Sequence, residues 1–201
     1  MKRAAIAGFA AGAAMMIGGA LGAVSGKDPA PVPDGGLQTM NPMIGGQAML
    51  PDRDILENIS ASPLHSQLSA NLKESGVAAA LKIEGQFTVF APTNAAFAAA
   101  GQQSKSSLAR RMSYLIVPGK YDSGALLRLI NEAGGEAKLR TAEGGVLVAR
   151  MNGPTNILIA DEKGHTANIA IYDVRDKNGI VHVVDHVIEP SGLARQVAAL
   201  N

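Results

Sequence analysis

His182, Asp185 and His186 lie within HVVDH, two imidazoles four residues apart with a carboxylate between them. On a helix that spacing sets both rings on one face a turn apart, as in a zinc protease. The neighbours decide against a helix. Ile180, Val181, Val183, Val184, Val187 and Ile188 are all β-branched, and such residues favour strands. Along a strand the two histidines share a face but stand about 13 Å apart, against ~5–6 Å for one helical turn. Asp185 then points the opposite way. The string reads as a strand carrying structural histidines, and no metal is expected there.

Other chemistry fares no better. No GxSxG elbow is present, and no serine stands at an obvious strand-to-helix corner with a histidine partner. Asp161-Glu162 and Asp173…Asp176 are paired acids, but both pairs read as hairpin turns in which charge is solvated. There is no GxGxxG or Walker sequence, and DKNG lacks the spacing and the Glu of a calcium loop. Met40, Met43 and Met49 suggest thioether ligation of Cu(I), yet no His or Cys sits among them, and packing of the segment is the plainer reading. With no cysteine at all, disulfides, thiolate metal sites and thiol catalysis are excluded. A net charge of +1 leaves no electrostatic footprint for nucleic acid, and the basic run at 105–111 is interrupted by serines, as on a solvated helix face. No enzyme and no cofactor is expected.

Residues 1–25 look like an export signal. Lys2 and Arg3 precede the Ala/Gly-rich run AAIAGFAAGAAMMIGGALGAV, and small residues follow. The competing reading is a retained membrane span, which the many glycines make weakly hydrophobic. Residues 26–51, rich in Pro and Gly, form a linker or a loosely bound arm. A single domain occupies 52–190, and 191–201 is a tail.

Within that domain the first half is helical. Asp54 and Glu57 form a capping-box pair ahead of Ile55, Leu56 and Ile59. Ser62-Pro63 starts a second helix with Leu64, Leu68 and Leu72 on one face and Gly76 as its stop. Asp122 or Ser123 caps a further helix carrying Leu126, Leu127 and Ile130. From Glu136 the period becomes two: KLRT, VLVARM, NILIA, TANIAIY and IVHVVDHVI are separated by EGG, NGP, DEKG and DKNG. Five strands joined by tight turns make an antiparallel meander, and helices first with strands later make an α+β domain around one core.

The chain has four phenylalanines, and three fall in FTVFAPTNAAFAAA. Phe87 and Val89 face one way along a strand, and Thr88 and Phe90 the other. Pro92 ends the strand, Thr93 or Asn94 caps a helix, and Phe97 lies on its first inward turn. The rings anchor packing at this corner, each worth roughly 1.5–3 kcal/mol on burial.

FTVFAPTNAAF resembles the first signature segment of the fasciclin (FAS1) family, and GIVHVVDHVIEP resembles the second. Between them MSYLIVPGKY is similar to the family's Tyr-His segment, with Tyr114 kept and Leu115 where the family commonly has His. The resemblance covers about residues 54–190 and is to bacterial secreted single-domain members. It implies a wedge of two short, mainly antiparallel sheets with packed helices, in which Phe87, Phe90, Pro92, Thr93, Asn94, Phe97, Tyr114, His182 and Asp185 are structural signature positions. It implies an exported, non-enzymatic binding or adhesion module of periplasm, cell surface or matrix, with envelope or matrix components as partners. Once the signal is removed the protein is not integral to the membrane. In animal members an Asp-Ile pair before the second signature has been tied to integrin contact, and the matching positions are Asp173 and Val174, with Arg175 beside them. The alternative is a carrier of a small apolar ligand or pigment.

Overall fold

A computed structural model describes residues 41–83, 85–101 and 107–191. Residues 1–25, read above as an export signal, together with Met40, Lys105 and the tail beyond Ser191, lie outside the described residues. Local chemistry accounts for most of the helices. In α1 (Ile55–Ala61) the Asp54 carboxylate accepts from the Glu57 amide at 2.7 Å while Glu57 accepts from the Asp54 amide at 2.9 Å, a complete capping box. A 3-10 turn, Pro63–His65, leads into α2 (Ser66–Glu74), which ends ahead of Gly76 in the left-handed region. Leu68 and Leu72 are buried as the spacing requires, but Leu64 is 40% exposed. The tighter 3-10 pitch rotates Leu64 off the face of α2. The arm's last residues, 41–51, form a hairpin of β1 (Met43–Ile44) and β2 (Gln47–Ala48), and Ile44 and Met49 enter the main core. Met43 stays outside.

The Phe-rich corner folds as its residues dictate. β3 (Phe87–Pro92) stops at its proline, and Thr93 caps α3 (Asn94–Ala100) by accepting from the Ala96 amide. Asn94 reaches the other way: it accepts from the Gln67 amide at 3.0 Å and donates to the Pro63 carbonyl at 2.9 Å and Ser66 Oγ at 3.0 Å. Phe90 and Phe97 are fully buried and Phe87 half-buried. Helix α4 (Leu108–Tyr114) then gives way to β4 (Ile116–Pro118), and α5 (Ser123–Glu132) is capped by Asp122. On α5 Leu126 and Ile130 face inward while Leu127 is partly exposed.

The meander follows as β5 (Glu136–Arg140), β6 (Val146–Asn152), β7 (Asn156–Ala160), β8 (Thr166–Asp176) and β9 (Gly179–Val184), each antiparallel to the next. Strand order is β4-β3-β9-β8-β7-β6-β5. β3 and β9 pair in parallel, Phe87 opposite Gly179 and Phe90 opposite His182. The first part of β8 pairs with β7 and the remainder with β9, so β8 belongs to two halves of the sheet. The α+β class holds, with a small hairpin and a larger mixed sheet.

Two sequence expectations need correction here. β9 ends at Val184, so Asp185 and His186 lie beyond the strand in a bend. β8 runs through Asp176, so Asp173, Val174 and Arg175 are strand residues and only Lys177 and Asn178 make the turn. Charge in YDVRDKNG disguised the strand's second half.

Leu115 is 1% exposed and belongs to the core cluster. Its backbone carbonyl accepts from the Phe90 amide, while its side chain sees apolar neighbours. Leu115→His should lower stability by about 1–3 kcal/mol, the cost of a buried polar group without partners. Urea midpoints near the parent's would show that a polar partner is within reach.

Candidate functional site

His182 sits at the meeting point of β3, β8, β9 and the loop before α5. Between the pairs Ile171–Val183 and Val174–Val181, Tyr172 and Asp173 together oppose His182, which makes a bulge in β8. Asp173 adopts φ 58, the left-handed region that Asp tolerates better than most side chains. The bulge turns the Asp173 amide onto His182 Nδ1 at 3.3 Å. Nδ1 is therefore an acceptor, Nε2 carries the proton, and it donates to the Tyr121 carbonyl at 2.8 Å. Phe90 stacks on the imidazole at 5.7 Å and Tyr172 meets it edge-on at 6.1 Å. Burial holds the His182 pKa below the usual value, against the Tyr121 carbonyl and the charges of Asp173 and Asp122. This is a neutral, satisfied imidazole fixed on both nitrogens.

The other residues of HVVDH serve a different contact. His186 is exposed and bonds the Asp185 carboxylate through Nδ1 at 2.8 Å, so the two histidines do not share a face. Asp185 also accepts from the Asn168 amide at 2.8 Å and its side chain at 2.9 Å, tying the end of β9 to β8. Burial opposes ionisation of Asp185, but these donors outweigh it and hold the carboxyl below its usual range. Among the described residues no three His, Cys, Asp or Glu side chains are placed to hold a metal ion.

Of the acids read as solvated turns, Glu162 is exposed but Asp161 and Asp176 are buried. Asp161 is buried and accepts from the amides of Lys163, His165 and Glu189 and from His165 Nδ1, all within 3.0 Å. It organises the β7–β8 turn and the segment after β9. Asp176 is buried beside Asn58 on α1, and burial pushes its carboxyl up to about 7. Aspartate in a turn-like sequence gives no sign that the backbone will fold around it. Tyr114 behaves similarly: its hydroxyl donates to the Val146 carbonyl at 2.8 Å, and burial raises its pKa to about 12. A Cβ on Gly145 would lie 2.8 Å from the ring, so the β5–β6 turn needs glycine there.

Asp173, Val174 and Arg175 separate into three fates. The Asp173 carboxylate grips the start of α5, accepting from the Ser123 amide at 2.7 Å and its hydroxyl at 2.5 Å. Val174 is 1% exposed and presents nothing to a partner. Arg175 is exposed, as is Lys177 at the turn. Sequence reasoning also missed His65, which is buried with Nδ1 against Ser62 Oγ at 2.9 Å. Its Nε2 is buried without a hydrogen-bond partner, and burial, opposed by the Ala91 backbone, lowers its pKa to about 4.

The fasciclin domain model matches residues 63–190. Protein sll1483 of Synechocystis sp. is 33% identical over 150 residues, 68% of this chain and 73% of that protein. Transforming growth factor-beta-induced protein ig-h3 of Sus scrofa is 28% identical over 136 residues, which are 68% of this chain but 19% of that protein. In three dimensions, a FAS1 domain pair from the insect cell adhesion molecule Fasciclin I aligns with TM-score 0.58 at 20% identity, over 68% of this chain and 51% of that one. The two segments that resemble the family's signatures supply the adjacent parallel strands β3 and β9, with His182 stacked on Phe90 between them. On these grounds the chain belongs to the fasciclin-domain family.

Proposed function

We propose that the protein is an exported binding module of the cell envelope or matrix, without catalytic activity, that makes contact through the exposed end of the β8–β9 hairpin. The observation that carries this reading is the division of labour along YDVRDKNG. Asp173 and Val174 are committed to α5 and the core, while Arg175 and Lys177 reach solvent from a hairpin end held by backbone pairing. Rigid strands that present charged side chains at a short turn suit recognition of an anionic surface. The groups best suited to chemistry, His182 and Asp161, spend their bonding capacity inside the fold. Family membership supports an adhesive role, since the solved FAS1 pair comes from a cell adhesion molecule.

Charge reversal tests it. Arg175→Glu with Lys177→Glu should leave the melting temperature within about 2–4 °C of the parent. Attachment of host envelope components to the immobilised protein should weaken tenfold or more. Unchanged attachment with an intact fold would remove this hairpin end from the contact surface.

A second reading, carriage of a small apolar ligand or pigment, draws on a shallow groove of about 370 Å³ beside α2, walled by Leu56, Gly76, Ala78 and Ala79 and rimmed by Lys73 and Lys82. Visible absorbance in protein purified from its own cells would favour it.

A further inference from the structure

Arg175 and Asp176 at the end of β8, with Lys177 in the turn after it, hold the arm that precedes α1. Asn41 brackets the Arg175 backbone, its side chain accepting from the amide at 2.9 Å and donating to the carbonyl at 2.5 Å. Asn58 brackets the Leu50 backbone in the same manner, at 3.0 Å and 2.7 Å, and shares its amide with Asp176 Oδ1 at 2.5 Å. The Lys177 amide donates to the Arg53 carbonyl at 2.8 Å. Ile44 and Met49 are pressed into the core by these clasps. The arm crosses the domain as a strap, and its middle clasp runs through a carboxyl.

That carboxyl is badly placed for a charge. Asp176 is 5% exposed, and its Oδ2 is buried with no hydrogen-bond partner. An ionised carboxylate seeks several donors, and here Asn58 alone supplies one. A second carboxylate, Asp54 at the start of α1, adds repulsion that pushes the same way. Glu57 on α1 adds another acid on the cleft that adjoins the strap, along with Asp52. The cations of this end are Arg53 on the strap, Arg175 on β8, Lys177 at the turn and Lys82 on the cleft's far wall. None of them is bonded to Asp176 among the described contacts. Gly179, opposite Asp176 on β9, brings no charge.

We propose that residues 41–53 form a proton-controlled strap: neutral Asp176 keeps it seated, and ionisation of Asp176 loosens it by drawing water to Oδ2. The balance is simple. One proton leaves the carboxyl for solvent, the charge left behind is stabilised only if water or a cation reaches it, and lifting the strap is the shortest route. The strongly raised pKa of Asp176, brought about first by burial and then opposed by Asn58, sets the transition near neutrality. The segment leading to the chain's N-terminal residues would thus be held firmly in mild acid and more loosely in mild alkali. This inference stands apart from the hairpin-end contact, since the clasps run through the backbones of Arg175 and Lys177.

Amide hydrogen exchange on the full chain between pH 5.5 and 8.5, corrected for intrinsic rates, tests the strap. Protection of the Leu50 and Lys177 amides should fall at least tenfold across that range, while the Val89 amide in β3 keeps its protection. Asp176→Asn, which holds Oδ1 but cannot ionise, should abolish the dependence. Flat protection in the parent, or the same fall in Asp176→Asn, would overturn the proposal. Should that variant not fold, the Asp176 carboxyl carbon can be titrated by NMR in the parent. A midpoint between about 6 and 8 that tracks the loss of protection supports the strap, and one below about 5 rejects it.

Discussion

Gly179→Ala should leave little or no folded protein. The chain at Gly179 has φ +158, and a Cβ there would lie 1.9 Å from the Phe87 carbonyl oxygen and 2.8 Å from the carbonyl carbon. Both are backbone atoms of the paired strand β3, and Ile55 Cδ1 closes the third side at 2.9 Å. A flexible side chain could swing away, but a strand backbone cannot move without breaking the ladder it belongs to. The Phe87 amide donates to the Asn178 carbonyl at 3.0 Å, so any retreat of β3 also forfeits that bond. Asn178 itself ties the same point to α1 and to the 3-10 segment Val77–Lys82, accepting from the Ile55 amide and donating to the Leu81 carbonyl. The loss should exceed about 4 kcal/mol, a large part of the 5–15 kcal/mol that holds a domain of this size. Gly124→Ala is the control: on α5, with nearest atoms at 3.5 and 3.7 Å, it should be neutral or stabilising by up to ~1 kcal/mol. Thermal melts by circular dichroism read both. A Gly179→Ala protein melting within a few degrees of the parent would mean that β3 and β9 are not locked together at this residue.

What the sequence conveyed about this fold was what neighbouring residues decide between themselves. The capping box of Asp54 and Glu57, the Thr93 cap after Pro92 and the turns between alternating strands are local bargains between adjacent groups, and each formed as expected. Long-range outcomes were illegible. The parallel pairing of β3 with β9 joins segments on either side of the whole meander, and no local period announces it. Asp161, Asp173 and Asp176 read as solvated charge in the sequence because acids in short polar runs usually are. Here backbone amides wrap Asp161, Asp176 is buried against the Asn58 side chain, and Asp173 becomes a grip on α5. The burial of Val174 was illegible for the same reason: it alternates inward on a strand whose charged sequence hid the alternation. In IVHVVDHVI the β-branched pattern runs on to Ile188, but the strand itself ends at Val184. The partners of the His182 imidazole, an amide and a carbonyl from distant segments, leave no trace in composition.

His182→Leu should be the most damaging change to a side chain in HVVDH, at about 3–5 kcal/mol. The leucine would leave the Asp173 amide and the Tyr121 carbonyl unpaired in the interior, each costing about 1–3 kcal/mol, and would lose the ring contacts with Phe90 and Tyr172. If His182 only filled space, its replacement by leucine would cost much less, so urea midpoints measure whether the two bonds matter. The pH dependence separates the imidazole from its volume. His182 has a folded pKa depressed by burial, so the unfolded chain takes up its proton first as pH falls below about 6.5. Stability present above that pH is lost on going down toward the folded value, and His65, depressed to about 4, acts in the same direction. Asp176 acts in the opposite one: its raised carboxyl favours the folded state below the ordinary aspartate value and loses that contribution as pH rises through about 7. Between pH 4.5 and 6.5 the two histidines and the one carboxyl therefore oppose each other, and the parent's stability should change less than either alone would make it. His182→Leu removes one acid-sensitive term, so its midpoint should hold or rise where the parent's falls. In Asp176→Asn the histidines act unopposed, and acid loss should steepen. A His182→Leu protein whose midpoint follows the parent's pH curve at a constant offset would show that the imidazole is protonated as readily in the fold as outside it, and the neutral, doubly bonded His182 would have to be abandoned.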